Sequence, residues 1–128
     1  MTISAPSSSA LDTTRALLTA ADTDIAAFFA LFTDDCQFRM ANNEVIHGRD
    51  AIQAWVAQYL GSVAGMRHVI LEEWTADDVA AVRVEVTYTM QDGAEFTLPA
   101  VTRTRVRDRK VCEYLIFMDP SPVQAASR

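Results

Sequence analysis

Four stretches in the second half of the chain alternate apolar and polar residues, and this period of two most constrains the fold. Runs 66–75, 79–90, 94–107 and 110–118 each read as a β-strand. Thr-Ala-Asp-Asp (75–78), Gln-Asp-Gly (91–93) and Arg-Asp-Arg (107–109) stand where turns are needed. In the second run Val82, Val84, Val86, Tyr88 and Met90 share a face, opposite Arg83, Glu85, Thr87 and Thr89. In the third, Phe96, Leu98, Ala100, Thr102, Thr104 and Val106 oppose Glu95, Thr97, Arg103, Arg105 and Arg107. One buried face and one wet face is the signature of antiparallel sheet. The last run leaves open which of its faces points inward.

The first half has the helical period instead. Residues 10–21 are rich in Ala and Leu and predict a first helix, and Ala-Asp-Thr-Asp (21–24) supplies a turn and an N-cap. Ile25, Phe28, Phe29 and Phe32 recur at i, i+3, i+4, i+7, which predicts a second helix ended by Thr33-Asp34-Asp35. A short strand is expected over 36–40 and a loop over 41–43. Asp50 and Gln53 form a capping-box-like start to a third helix with the apolar stripe Ile52, Trp55, Val56, Tyr59 and Leu60. Gly61 stands where a left-handed C-terminal residue belongs. Helices first and strands later predict an α+β fold: a curved antiparallel sheet wrapped around N-terminal helices, forming a cone with an apolar interior. Residues 1–9 are expected to be disordered, 10–122 to form one domain, and 123–128 to fray.

Composition narrows the function. A chain of 128 residues supplies one core and not two. Its net charge of −6 repels phosphate backbones, so no nucleic-acid partner is expected. The longest apolar run, from Ile25 to Phe32, is too short to span a bilayer, and MTISAPSSSA does not read as a secretory signal. A soluble, cytoplasmic protein is expected. Two cysteines, Cys36 and Cys112, are too few for a zinc pattern or a disulfide framework and read as reduced core thiols. Whether they neighbour one another stays open.

The order of elements carries a resemblance. Ala-Leu-Phe-Thr-Asp-Asp-Cys (30–36), Gly-Arg-Asp-Ala-Ile (48–52) and Arg-His-Val-Ile (67–70) come in sequence, followed by Thr-Tyr-Thr-Met-Gln-Asp-Gly (87–93) and Phe-Met-Asp-Pro-Ser-Pro (117–122). Over roughly 10–122 this resembles the NTF2-like superfamily of cone-shaped α+β barrels, and within it the SnoaL-like branch. The resemblance implies a pocket inside the cone, and it brings ketosteroid isomerases, polyketide cyclases, scytalone dehydratase and limonene epoxide hydrolases as comparisons. Fold does not choose among these. The isomerase comparison puts Met40 at the base position and Thr102 at the oxyanion acid, and a thioether takes no proton from carbon. The epoxide-hydrolase comparison puts Ile116 at its terminal-strand Asp. The dehydratase comparison is kept by His68-Val69-Ile70, which resembles that enzyme's pocket histidine, while its second histidine has no counterpart in 82–90.

His68 is thus the leading candidate for chemistry, since an imidazole exchanges protons near neutral pH. The alternative is a histidine bonded at a strand end that merely lines the cavity. It is expected to share a face with Ile70, Glu72 and Trp74, with Glu72 solvated at the sheet rim. Tyr59 and Tyr88 are candidate hydrogen-bond donors to a substrate oxygen, and Met40, Trp55, Val84, Val86, Phe96 and Tyr114 candidate pocket walls; core packing is the plainer alternative for each aromatic. Asp34, Asp35 and Asp119 read as loop acids, and His47 as facing solvent or the pocket mouth. Arg103, Arg105 and Arg107 fall on the outer face, where pairing with Glu85, Glu95 and Glu113 and a homodimer through the convex sheet are expected. No metal site or cofactor is implied. Two functions stand. One is a cofactor-independent acid/base enzyme of lyase, isomerase or cyclase type, acting on an apolar cyclic substrate. The other is a non-catalytic ligand-binding or dimerising module.

Overall fold

The alternating runs pair edge to edge into one sheet. The computed structural model describes residues 6–127, with side chains from Ala10 onward. Its strands are β1 (Phe32–Met40), β2 (Ile46–His47), β3 (Val63–Ala76), β4 (Val79–Met90), β5 (Glu95–Arg107) and β6 (Lys110–Met118). They lie in the order β2-β1-β6-β5-β4-β3. Every neighbouring pair is antiparallel except β1 with β6, which is parallel. The sheet is curved and does not close on itself. Asp108 and Arg109 both take positive φ, the type I′ condition for a two-residue hairpin, so 107–109 turns as expected.

The inward face of β4 is the one its alternation predicts. Val82, Val84, Val86, Tyr88 and Met90 are all buried, each aliphatic contributing roughly 1.5–3 kcal/mol by its removal from water. Helix α1 (Pro6–Thr23) lies across this concave face, burying Ala10, Thr14, Leu17 and Leu18. Asp24 caps α2 (Ile25–Ala30), its side chain accepting from the Ala27 N–H at 3.2 Å. A chain of ring contacts then runs through the core from Phe29, Phe28 and Phe32 to Tyr114, Phe38, Trp55, Tyr59 and Tyr88, with centroids 5.1–6.3 Å apart.

Several expectations need correction. Phe32 belongs to β1: α2 ends at Ala30, and Phe32 reaches the same cluster from a strand. A two-residue strand such as β2 is too short to show a period. Helix α3 (Arg49–Tyr59) starts after Gly48, whose φ of 91° suits glycine, and no side chain caps it, so Asp50 is a first-turn acid and not the cap. Gly61 is not left-handed; the positive-φ glycines are Gly48 and Gly93. The described part of α1 begins at Pro6, ahead of the expected boundary, while residues 1–5 lie outside the described residues. At the other end Ser121–Ala126 form helix α4, where fraying is expected, because Val123 is fully buried against Val86, Tyr88 and Met90.

The face assignment of β3 also changes. Ile70 pairs with Val84 but Glu72 pairs with Arg83, so Leu71 is an extra residue in a β-bulge. Beyond it the faces exchange. Glu72 goes to the outer face, in a 2.5 Å ion pair with Arg83, while Glu73 turns toward α1 and grips Arg15 at 2.6 and 2.7 Å. Glu72 and Trp74 therefore do not share the face of His68. On β6, Tyr114, Ile116 and Met118 point inward and Phe117 is exposed.

Candidate active site

Curling the sheet brings distant strands to one apolar hollow. Helices α1 and α2 border it with Ala21, Ile25 and Phe28, and α3 with Val56 and Tyr59, followed by Leu60 at its C-cap. The strands contribute Phe38, Met40, Met66, His68, Tyr88, Tyr114 and Ile116. The hollow is small: about 50 Å³ is open to the centre of a water molecule. A roughly spherical space of that size, widened by a water radius, is about 7 Å across. It suits a molecule of about four to six heavy atoms and falls well short of a drug-sized pocket. Ala21, Ile25, Leu60 and Met66 also border an outer groove that adds Asp22, Thr23, Asp24 and 63–65, so this groove is the mouth.

His68 is held by a carboxylate from the first helix. Its backbone N–H donates to Asp22 Oδ2 at 2.8 Å, and its Nδ1 lies 2.6 Å from Asp22 Oδ1. With the carboxylate as acceptor, the proton of the ring contact sits on Nδ1, and in the tautomer this selects Nε2 is the acceptor. Both side chains are largely buried, at 12% and 17% exposure. Two contacts from one carboxylate fix the ring as well as its tautomer. Asp22 is the site residue that sequence reasoning misses, because it looks like one more acid in the 21–24 turn. A signal was present: Thr14, Leu18 and Asp22 follow at i, i+4 and i+8, so the acid extends the buried stripe of α1.

The phenols form the polar part of the far wall. The Tyr59 hydroxyl donates to the Tyr88 oxygen at 3.2 Å, leaving the Tyr88 proton free for a ligand. Burial raises the pKa of both. Burial likewise raises Tyr114, with the neighbouring Thr102 offsetting part of the rise. All three stay protonated donors through the neutral range.

The expected residues divide. His68, Tyr59, Tyr88, Met40 and Tyr114 border the hollow. Trp55 stands behind it, stacked on Tyr59 at 5.4 Å and facing a separate groove with Gln58, Gln124 and Ser127. Val84 packs with Leu18, Val82 and Ala100, while Val86 and Phe96 belong to the cluster around Met90 and Val123. Those three lie on the inward face yet away from the hollow. Met40, Ile116 and Thr102 sit side by side across β1, β6 and β5, so that wall carries no carboxylate.

Other candidates fall outside the site. His47 borders a surface groove with Asp34, Arg49 and Asp50. The arginine stripe is paired, Arg103 with Glu113, Arg105 with Asp78 at 2.8 Å and Arg107 with Asp35 at 2.7 Å; Asp78 and Asp35 take the places expected of Glu85 and Glu95. Cys36 lies in the bulged stretch of β1 between the pairs Phe32–Val111 and Gln37–Glu113, opposite Cys112. Burial raises both thiols, Cys36 to about 12. Among the described residues no three His, Cys, Asp or Glu side chains group as metal ligands, and no helix is long and apolar enough to cross a membrane.

A family model described as the SnoaL-like domain matches residues 14–114. Solved structures agree. A protein from Jannaschia sp. CCS1 classed as a SnoaL-like polyketide cyclase is 17% identical, with 98% of this chain and 96% of that chain covered and a TM-score of 0.81. A protein of ketosteroid isomerase-like fold from Catenulispora acidiphila DSM 44928, in complex with trimethylamine, is 20% identical over 89% and 90% of the two chains, TM-score 0.76. An LEH-like epoxide hydrolase from M. tuberculosis is 14% identical over 93% and 89%, TM-score 0.78. At these identities the likeness shows the fold. No curated protein matches the sequence.

Proposed function

Because the chain belongs to the SnoaL-like domain family, we propose that it is a cofactor-independent acid/base enzyme of lyase, isomerase or cyclase type, acting on a small apolar molecule in the hollow. The observation that carries this reading is the Asp22–His68 pair at the cavity wall. Nε2 takes a proton from the substrate, while Asp22 holds the ring and stabilises the imidazolium that forms; a positioned base of this kind contributes typically ~10²–10⁴-fold. Tyr88, with its proton uncommitted, donates to the substrate oxygen on which charge develops, and Tyr59 positions it. The hollow's size supports a compact substrate, cyclic only up to a single small ring. The Catenulispora acidiphila relative holds trimethylamine, a ligand of the size this hollow admits.

The test is deuterium uptake from D₂O into a panel of small ketones, hydroxy-ketones and amino-ketones, followed by NMR. Wild type should catalyse exchange on at least one, and His68→Ala should lose at least a hundredfold of it. Exchange that survives His68→Ala, or none across the panel with wild type, removes the catalytic reading.

The apolar Met40–Ile116 wall favours a second reading, a binding or dimerising module without chemistry. Val69, Leu71, Trp74 and Phe117 are exposed, and they support a homodimer through the convex face. Sedimentation at two concentrations checks this: a dimer should be broken by Phe117→Glu, and a wild-type monomer at both concentrations overturns it.

A further inference from the structure

The charge around the hollow and its mouth has one sign. Phe28, Phe38, Tyr59, Tyr88 and Tyr114 supply five aromatic rings to the wall, and Met40 and Met66 two thioethers. Asp22 and Asp24 border the mouth. No Lys or Arg borders either space among the described residues.

An anion entering here would shed its water without meeting a cation, at a high desolvation cost. A cation meets the reverse situation. Aromatic rings attract organic cations through their negative faces, most strongly where water is excluded. The Asp22 carboxylate, 17% exposed and one imidazole away from the hollow, supplies the opposite charge that a buried cation needs. The acidic rim, on a chain of net charge −6, raises the local concentration of cations before they enter. The size of the hollow limits the rest of the molecule.

We propose that this site selects a small alkylammonium ligand, reaching the hollow through the acidic groove between the α1–α2 corner and the start of β3. The proposal rests on the site described under the function above and refines its substrate from a neutral apolar molecule to one whose apolar body carries a cationic group. The cationic group lies among the rings within the field of Asp22. His68 Nε2 is left to the reacting proton on a neighbouring carbon, and the Tyr88 hydroxyl to a neighbouring oxygen. An amine bearing a carbonyl or hydroxyl one or two carbons away would use all three.

Three probes of similar bulk separate charge from shape: tetramethylammonium, tert-butyl alcohol and pivalate. Each is titrated into wild-type protein at fixed ionic strength, with amide and side-chain NMR shifts read at Ile25, Met66, His68 and Tyr88. Tetramethylammonium should shift these residues and bind at least about tenfold more tightly than tert-butyl alcohol, with pivalate not binding. Asp22→Asn should weaken tetramethylammonium by about tenfold, and by more than it weakens tert-butyl alcohol. If Asp22→Asn does not fold, the wild-type order of the three probes decides alone. Equal or tighter binding of the alcohol, binding of pivalate, or no binding of tetramethylammonium overturns the proposal. Failure here is distinct from failure of the catalytic reading. Proton exchange on neutral ketones with no cation preference sinks only the ammonium class, and cation selectivity without exchange on any substrate sinks only the catalysis.

Discussion

Single side chains show how direction within a hydrogen bond decides what a substitution costs. Thr14 and Thr104 are both fully buried, on α1 and β5, with hydroxyls 2.6 Å apart. Thr14 already donates to the Ala10 carbonyl at 2.8 Å, so Thr104 is the donor between them. Thr14→Val therefore strands the Thr104 proton and should cost about 1–3 kcal/mol, whereas Thr104→Val removes only a donor to Thr14 and should cost roughly 1 kcal/mol or less. Urea melts of the two variants measure the difference, and equal losses would refute the assignment. The same scale explains what could be read of the site. His68, Tyr59 and Tyr88 stand out by side-chain chemistry on a patterned strand or helix. Asp22 differs from the neighbouring Asp24 only in its partner, and that partner is 46 residues away.

Within the elements, the bulge at Leu71 decides which residues of β3 reach α1. With Leu71 taken out of the count, Ile70 and Glu72 follow Val84 and Arg83 in plain alternation. Deleting Leu71 should then preserve the Glu72–Arg83 and Glu73–Arg15 pairs and change stability by about 1 kcal/mol or less. Deleting Thr87 of β4, between the pairs Val86–Leu98 and Tyr88–Phe96 where no bulge can absorb the change, throws one side of that strand onto the wrong face and should cost about 3 kcal/mol or more. Thermal melts of the two deletions provide the check, and a Leu71 deletion as damaging as the Thr87 one would remove the bulge from the account. Alternation predicts the pairing of β4 and β5 well because neither strand is interrupted within their mutual register. It misjudges β3 at Glu72 and Trp74 because one inserted residue inverts every face after it.

Across the whole molecule, the buried phenols tie stability to alkaline pH. Tyr59, Tyr88 and Tyr114 are all the tyrosines of the chain, and burial raises each above its ordinary pKa. Below pH ~10 these phenols are protonated in folded and unfolded chains alike, so stability is fully present. Above that the unfolded chain ionises first, and stability falls as pH rises toward the folded-state values, by up to about 1.4 kcal/mol per phenol for each pH unit. The urea midpoint should drop steadily from pH 9.5 to 11.5, with tyrosinate absorbance appearing only as the fold is lost. A flat midpoint over that range would contradict the burial. At the acid end the sign reverses. Arg15 lowers the pKa of Glu73 and Arg107 that of Asp35, so their contribution is present above the ordinary carboxylate range and fades as pH falls; both pairs are exposed and weak.

The sequence by itself determined the class of fold, the faces of β4 and β5, the hairpin turns, the stripe of α3 and the candidacy of His68, Tyr59 and Tyr88. These follow from period and from side-chain chemistry, which reside in neighbouring residues. Tertiary structure alone decided that Asp22 meets His68, that β1 runs parallel to β6, and that α4 covers Val86 and Tyr88. It also decided which inward residues border the hollow: Met40 and Tyr114 do, and Val84, Val86 and Phe96 do not. The physical reason is that a hollow is set by the curvature of the whole sheet and by where the helices stop filling it. Both depend on packing summed across all the strands, and no local run of residues carries that sum.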